Sequence, residues 1–276
     1  MPHTLITSVA NPKIKALVRL LKKGSDSAFT VEGVREISQA LPNWGLLELY
    51  FHQQRRSADA DAIITKHGKV GKAFALAPHV FSKIAIRANK DGIVAVFAYR
   101  RLPLAGLALT SFSKPPLLCV CQELQKPGNL GAMMRTAVAV GCDALIVVDQ
   151  SMSIYNPNVI RASLGHVFNA PLALASSAEA YDWLCANNIN IVLADGLPPH
   201  HMSYTAYDFR QATAIVFGSE AEGLSDFWRK LNVTRLYIPM RPQVSSLNVS
   251  VCGGIILYEA WRQRSLAASD TKLDQQ

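Results

Sequence analysis

Asparagine, arginine, serine and glutamate stand at three junctions where an apolar run of strand length passes into a helix-like pattern. The first is Pro127-Gly128-Asn129-Leu130-Gly131-Ala132-Met133-Met134-Arg135-Thr136-Ala137, and the second is Ile215-Val216-Phe217-Gly218-Ser219-Glu220-Ala221-Glu222-Gly223-Leu224-Ser225. The third runs from Arg235 to Ser250. There Leu236 to Ile238 reads as a short buried strand that Pro239 ends, because proline has no amide hydrogen for a sheet ladder. A polar loop follows. Ser245 or Ser246 is the expected cap of a helix whose apolar positions Leu247, Val251, Ile255 and Leu257 or Tyr258 return at near-helical spacing. Ser246 and Asn248 then fall in the first turn, where unpaired N–H groups and short polar side chains converge on anything bound at the helix mouth. On spacing alone, a capped helix with no ligand explains the same residues.

The elements that position these junctions alternate along the chain. Strands are expected at Leu117 to Cys121, Ala144 to Val148, Leu172 to Leu174, Asn190 to Ala194, Ala214 to Phe217 and Val233 to Ile238, with a helix from Leu130 to Val140. Parallel strands joined by helices make a sheet covered on both faces. Asn129 and Arg135 are expected at the start and in the second turn of one helix, both within reach of the strand-end cleft. Upstream, Asn11-Pro12 begins a helix with the stripe Ile14, Leu17, Val18 and Leu21, and Gly24 closes it. Ala28 to Glu32 reads as a strand, Val34 to Leu41 as a helix, Leu46 to Phe51 as a strand, Ile63 to Lys66 with its flanks as a short helix, and Gly92 to Tyr99 as a strand. That is a small α/β layer of domain size. Arg100, Arg101 and the Pro and Gly between Leu102 and Pro116 read as a linker.

With 276 residues, 50% of them hydrophobic, the chain can bury a sizeable core. No apolar run has the length of a membrane span and the N-terminus lacks a signal-peptide core, so a soluble cytoplasmic protein is expected, with no membrane partner. Cys119, Cys121, Cys142, Cys185 and Cys252 lie mostly in apolar segments and are expected to be reduced, buried thiols. Cys119 and Cys121 share a strand face but have no second pair, and His200-His201 has no partners, so no metal site is expected. Charge is unevenly spread. Residues 1–113 hold 16 Lys+Arg and 7 Asp+Glu, whereas the remainder holds 12 and 13. The N-terminal part is therefore the candidate polyanion surface, with Lys13, Lys15, Lys22, Lys23 and Arg35 as phosphate contacts. No G-x-G-x-x-G or G-x-x-x-x-G-K-[ST] occurs, which leaves a Rossmann-type site unsupported. Loops after strands are the alternative: Gly218 lets backbone approach a ligand, and Ile238, Met240 and Leu247 supply apolar walls.

Taken in order, the three junctions, with Ile238-Pro239-Met240 and Ser246-Leu247-Asn248-Val249-Ser250 in the third, resemble the signature motifs of the SpoU/TrmH family of RNA ribose 2'-O-methyltransferases. Tyr155-Asn156-Pro157-Asn158-Val159-Ile160-Arg161-Ala162-Ser163 extends the match. Ile6-Thr7-Ser8, Asn11-Pro12-Lys13-Ile14-Lys15 and Phe29-Thr30-Val31-Glu32-Gly33-Val34-Arg35 resemble the L30e-like substrate-binding domain that precedes many such enzymes. The resemblance implies an α/β chain with an L30e-like domain at 1–101, a linker at 102–114, a SPOUT trefoil-knot methyltransferase domain at 115–265 and a polar tail at 266–276. It implies S-adenosylmethionine-dependent 2'-O-methylation of RNA, ribosomal RNA in preference to tRNA, by a homodimer. Asn129, Arg135, Glu220, Ser246 and Asn248 would form the catalytic set. Leu193, Ala194, Asp195, Gly196, Phe217, Gly218, Ser219, Glu220, Ile238, Pro239, Met240, Ser246, Leu247 and Asn248 would line the donor pocket.

A guanidinium keeps its proton in proteins, so Arg135 is expected to hold a phosphate or stabilise developing alkoxide charge, leaving proton removal to water or a neighbour. Three positions depart from the family pattern: Pro242 where glycine is common, Ala221 within the usual Gly-Ser-Glu-Gly-x-Gly-Leu run, and Lys126 where an acid is common. Pro242 would stiffen the donor loop, and a φ > 0 backbone at Ala221 would be strained. A non-catalytic RNA-binding or ribosome-assembly factor on the same scaffold, or a base methyltransferase, are the alternatives.

Overall fold

The computed structural model describes residues 3–68, 72–86, 90–107, 114–197, 200–219 and 221–273, with side chains as far as residue 266 in the last helix. It divides the chain into two compact units, Met1–Arg100 with Ser153–Asn169, and Arg101–Met152 with Ala170–Gln276.

The first unit contains β1 (Thr4–Ile6), α1 (Pro12–Lys23), β2 (Ala28–Glu32), α2 (Val34–Ala40), β3 (Leu46–His52), α3 (Ala58–His67), β4 (Ala73–Leu76), α4 (Pro78–Phe81) and β5 (Ile93–Ala98). α1 starts as its sequence demands: the Asn11 side chain accepts from the Lys13 N–H at 2.9 Å and Pro12 is the first helical residue. The strand order is β1-β4-β3-β5-β2, parallel across the first three and antiparallel across the last three. Sequence patterning missed β1 and β4. β1 has three residues, and all four side chains of β4 are buried, so no alternation marks it.

A later stretch of chain, Ser153–Asn169, belongs to this unit and includes α6 (Pro157–Ala162). Tyr155 stacks on Phe29 with ring centroids 4.3 Å apart, and its hydroxyl donates to the Arg100 carbonyl at 2.7 Å. Trp44 Nε1 donates to the Phe168 carbonyl at 3.2 Å across 124 residues of sequence. Burial raises the Tyr155 phenol well above its ordinary range. Such a cluster leaves no local periodicity, so a cut at residue 101 could not reveal it.

The second unit runs β6 (Leu117–Gln122), α5 (Pro127–Ala139), β7 (Ala144–Val148), β8 (Leu172–Ala175), α7 (Ser177–Ala186), β9 (Asn190–Leu193), β10 (Met202–Ser203), β11 (Thr213–Phe217), α8 (Asp226–Arg229), β12 (Thr234–Tyr237) and α9 (Val249–Leu273). Its sheet has the order β10-β12-β9-β11-β6-β7-β8, and every pairing is parallel. β6, β7 and β11 are buried at every position, as a sheet covered on both faces requires.

Three expectations change here. The stretch at 102–114 packs where it is described: Leu102 accepts from the Leu174 N–H at 2.7 Å, and Leu104 and Leu107 lie against the core, while 108–113 fall outside the described residues. The tail expected from 266 is helical as far as Leu273. Cys185 is exposed, whereas Cys119 and Cys121 are buried with their sulfurs 3.8 Å apart. Among the described residues, no cluster of His, Cys, Asp and Glu could hold a metal ion, and no helix is long and apolar enough to cross a membrane.

Candidate active site at the carboxyl edge of the parallel sheet

Because β12, β9, β11 and β6 are successive neighbours and all parallel, the loops that leave their carboxyl ends emerge side by side. Those loops carry residues 194–197, 218–225 and 238–248 and the start of α5. All three junctions of the sequence therefore meet at one edge.

Loop-to-loop contacts fix them there. The Gly196 N–H donates to the Leu236 carbonyl at 2.9 Å, and a Cβ at Gly196 would lie 2.7 Å from that carbonyl. A Cβ at Gly218 would collide with the backbone of Gly223 and Leu224, so only glycine allows this approach. Ser219 and Gly223 exchange backbone hydrogen bonds of 2.9 and 3.1 Å, and the left-handed residue of that turn is Gly223, at φ +70°. Arg229 joins two loops: its Nε meets the Asp195 carboxylate at 3.0 Å and its Nη2 donates to the Glu222 carbonyl at 3.0 Å. Arg229 lies in the short surface helix α8, and nothing in the sequence marked it for this role.

Asn248 binds the third junction to the first. Its Nδ2 donates to Asn129 Oδ1 at 3.2 Å, while its own Oδ1 accepts from the Ser250 N–H at 3.0 Å and the Ser250 hydroxyl at 2.6 Å. Asn248 is thus the cap of α9, in place of Ser245 or Ser246. The intervening loop is taken up by a turn in which the Val244 N–H donates to the Arg241 carbonyl at 2.9 Å. Pro242 occupies the second position of that turn, where its fixed φ is favourable, and it is exposed.

The other expected residues divide clearly. Leu193 and Phe217 are buried at the carboxyl ends of β9 and β11. Ala194, Asp195, Gly196, Ser219, Ile238 and Leu247 are half-buried, while Pro239, Met240 and Ser246 are exposed. Glu220 lies outside the described residues. Arg135 is exposed on α5, six residues beyond Asn129, which on an ideal helix is about 9 Å along the axis and about 240° around it. The two therefore leave the helix in different directions, and whether one cleft of one chain takes both is a matter of the reach of the Arg135 side chain. Met133 and Met134 are buried within the chain itself, and Gly253 of α9 gives the Met133 thioether its room.

Behind the edge, a polar relay supports the second junction. The buried Gln122 accepts the Ser225 N–H at 2.9 Å and donates to the Asp149 carboxylate at 3.4 Å. That carboxylate also accepts from the Ser177 N–H at 2.9 Å, and the Ser177 hydroxyl accepts the Trp228 indole N–H at 2.8 Å.

The model of the SpoU rRNA Methylase family matches residues 116–258, and that of the MRM3-like substrate binding domain matches residues 11–95. This chain belongs to the SpoU family. It is 30% identical to a 23S rRNA (uridine(2479)-2'-O)-methyltransferase of Streptomyces viridochromogenes, over 88% of this chain and 85% of that protein. Among solved structures, the SpoU methyltransferase AviRb of the same organism, in complex with AdoMet, matches with a TM-score of 0.80 at 29% identity, covering 92% of this chain and 99% of that one. An AdoMet-bound rRNA methyltransferase from Sinorhizobium meliloti matches with a TM-score of 0.81 at 26% identity, covering 94% and 97%. The parallel second unit is accordingly a SPOUT-type α/β domain, and the matched substrate-binding region falls within the first unit.

Proposed function

We propose that this SpoU-family protein is an RNA methyltransferase that moves a methyl group from S-adenosylmethionine to a ribose 2'-hydroxyl, with ribosomal RNA as its substrate. The observation that carries the reading is the 3.2 Å bond between Asn248 and Asn129, which ties the third junction to the first at the edge where the second also ends.

The loops at this edge form the cup that would take the donor. Gly218 and Gly196 let neighbouring loop backbones pack closely at this edge, and Ile238, Met240 and Leu247 would offer apolar surface for the nucleoside base. When bound, S-adenosylmethionine supplies an electrophilic methyl group on a sulfonium. The chain's own residues orient the acceptor. The Asn129–Asn248 pair fixes the α5 and α9 termini against each other, and Ser246 lies beside it at the mouth. Arg135, permanently charged and exposed, holds the phosphate next to the target ribose and stabilises negative charge that grows on the hydroxyl oxygen. Lys15, Lys22, Lys23 and Arg35 are exposed and add phosphate contacts from the first unit, whereas Lys13 is partly engaged by Glu48 and the Phe74 ring.

Arg135 lies off the Asn129 face, and α9 exposes the apolar stripe Val251, Tyr258 and Trp261 beside half-buried Gly254. These features support a homodimer in which α9 is covered and each chain's Arg135 serves the partner's cup. Sedimentation of Trp261→Asp tests the dimer, with a monomer as the expected result.

The function itself is tested by incubating the protein with methyl-labelled S-adenosylmethionine and ribosomal RNA and digesting the product to nucleosides. Label on a ribose is expected. Label on a base selects base methylation, and donor that fails to bind in calorimetry at millimolar concentration selects the non-catalytic scaffold.

A further inference from the structure

Two sequence motifs stay unused by the methyl-transfer cup: the Glu32-Gly33-Val34-Arg35-Glu36 turn and the Pro157-Asn158-Val159-Ile160-Arg161 helix. Both belong to the first unit, and together they line a cavity of about 200 Å³.

Its walls are chemically mixed. Ile86, Pro157 and Ile160 are apolar, and Lys90 and Arg161 add exposed cations. Three carboxylates also line it, but two are committed to backbone: Asp91 accepts from the Val34 N–H at 2.9 Å, and Glu32 accepts from the Ile86 N–H at 3.1 Å. The Glu36 carboxylate makes no hydrogen bond or ion pair among the described residues, and neither does the Arg161 guanidinium. Opposite charges thus line one cavity without pairing with each other. Gly33, at φ +97°, keeps the floor open, since a Cβ there would lie 2.8 Å from Glu36 Oε2.

An ionised carboxylate only accepts hydrogen bonds, so Glu36 calls for a ligand edge rich in N–H donors. A cationic side chain would satisfy it but would be repelled by Lys90 and Arg161. A nucleotide satisfies both, with donors on the base and the anion on the phosphate. Of the four bases, guanine alone offers a ring N–H and an amino group side by side, which meet one carboxylate through two parallel bonds. RNA is commonly read through unstacked bases of this kind.

We infer that the cavity is a subsite for an unstacked guanine of the RNA, its Watson–Crick edge on Glu36 and its phosphate on Arg161. This rests on the reading of the protein as an RNA methyltransferase and adds a sequence preference to the salt-dependent grip of the lysines.

The test uses the full-length protein and fluorescent RNA pentamers, UUGUU and UUAUU, with calorimetry of S-adenosylmethionine run in parallel. UUGUU should bind about tenfold more tightly than UUAUU, as one good base contact allows. Glu36→Gln, nearly isosteric and with no hydrogen bond or ion pair to lose among the described residues, should bring UUGUU to the UUAUU level. Arg161→Ala should weaken both strands alike. Equal binding of the two strands by the wild type, a guanine preference that survives Glu36→Gln, or no loss with Arg161→Ala overturns the subsite. Guanosine monophosphate that competes at the same concentration as the pentamer assigns the cavity to a free nucleotide, against the RNA assignment. Loss of donor binding in the parallel arm would count against the enzyme reading, whatever the pentamers do.

Discussion

The two units gather their functional residues by different routes. In the second, every strand points the same way, so four neighbouring strands deliver their following loops to one edge, and distance in sequence ceases to matter. In the first, the sheet is mixed and its cavity exists only because a helix from much later in the chain completes the wall. The parallel unit makes a site by topology. The mixed unit makes one by recruiting a segment, which is held by aromatic packing. If that contrast is right, damage to aromatic packing should act on the first unit, and damage to glycine turns or exposed arginine on the second.

Phe29→Ala should have the largest effect. Phe29 stacks on Tyr155 and also contacts Trp44, Phe97 and Phe168, so the change should cost the first unit about 3–5 kcal/mol in denaturant melts. Donor binding measured below that transition should persist. Arg135→Ala follows, with turnover expected to fall by about 10²–10³-fold while melting and donor affinity stay put, because the side chain is exposed. Near-normal turnover on the true RNA would remove Arg135 from the mechanism. Gly218→Ala should destabilise by about 1–3 kcal/mol through overpacking against Gly223 and weaken donor binding by calorimetry.

A pH scan sharpens the contrast further. Burial, with Arg55 and Arg56 nearby, lowers the His52 pKa, and its Nδ1 accepts the Gln54 and Arg55 N–H groups at 3.1 and 2.9 Å. The unfolded chain therefore binds the proton more readily. This contribution is present above the ordinary histidine pKa of about 6.5 and is lost as pH falls below it. The first unit should melt earlier at pH 5 than at pH 7.5, and His52→Asn should flatten that difference. Replacing Lys22 and Lys23 by serine should do least, lowering the slope of log affinity against log salt by about 1.4 for single-stranded RNA, equally for all sequences.

Much of this was readable in advance where the physics is local. Asn11-Pro12 and Gly24 bound α1, continuous apolar runs mark β6, β7 and β11, and the three junctions stand where strands end. Reading failed where an element's partner was remote. β4 shows no alternation because it is buried throughout, the cap of α9 moved to Asn248, and Arg229 gave no sign of bridging two loops.

The sequence by itself determined the alternation of strand and helix, the asymmetry of charge and the residues available at each strand end, because propensity, capping and hydrophobic period act over a few neighbours. Only the tertiary structure decided that β12, β9, β11 and β6 lie side by side, that Asn248 reaches Asn129, and that Arg161 shares a cavity with Glu36. Strand order and the docking of a distant segment are choices among contacts of similar hydrophobic character. Shape complementarity across the whole core settles them, and no short window of sequence contains it.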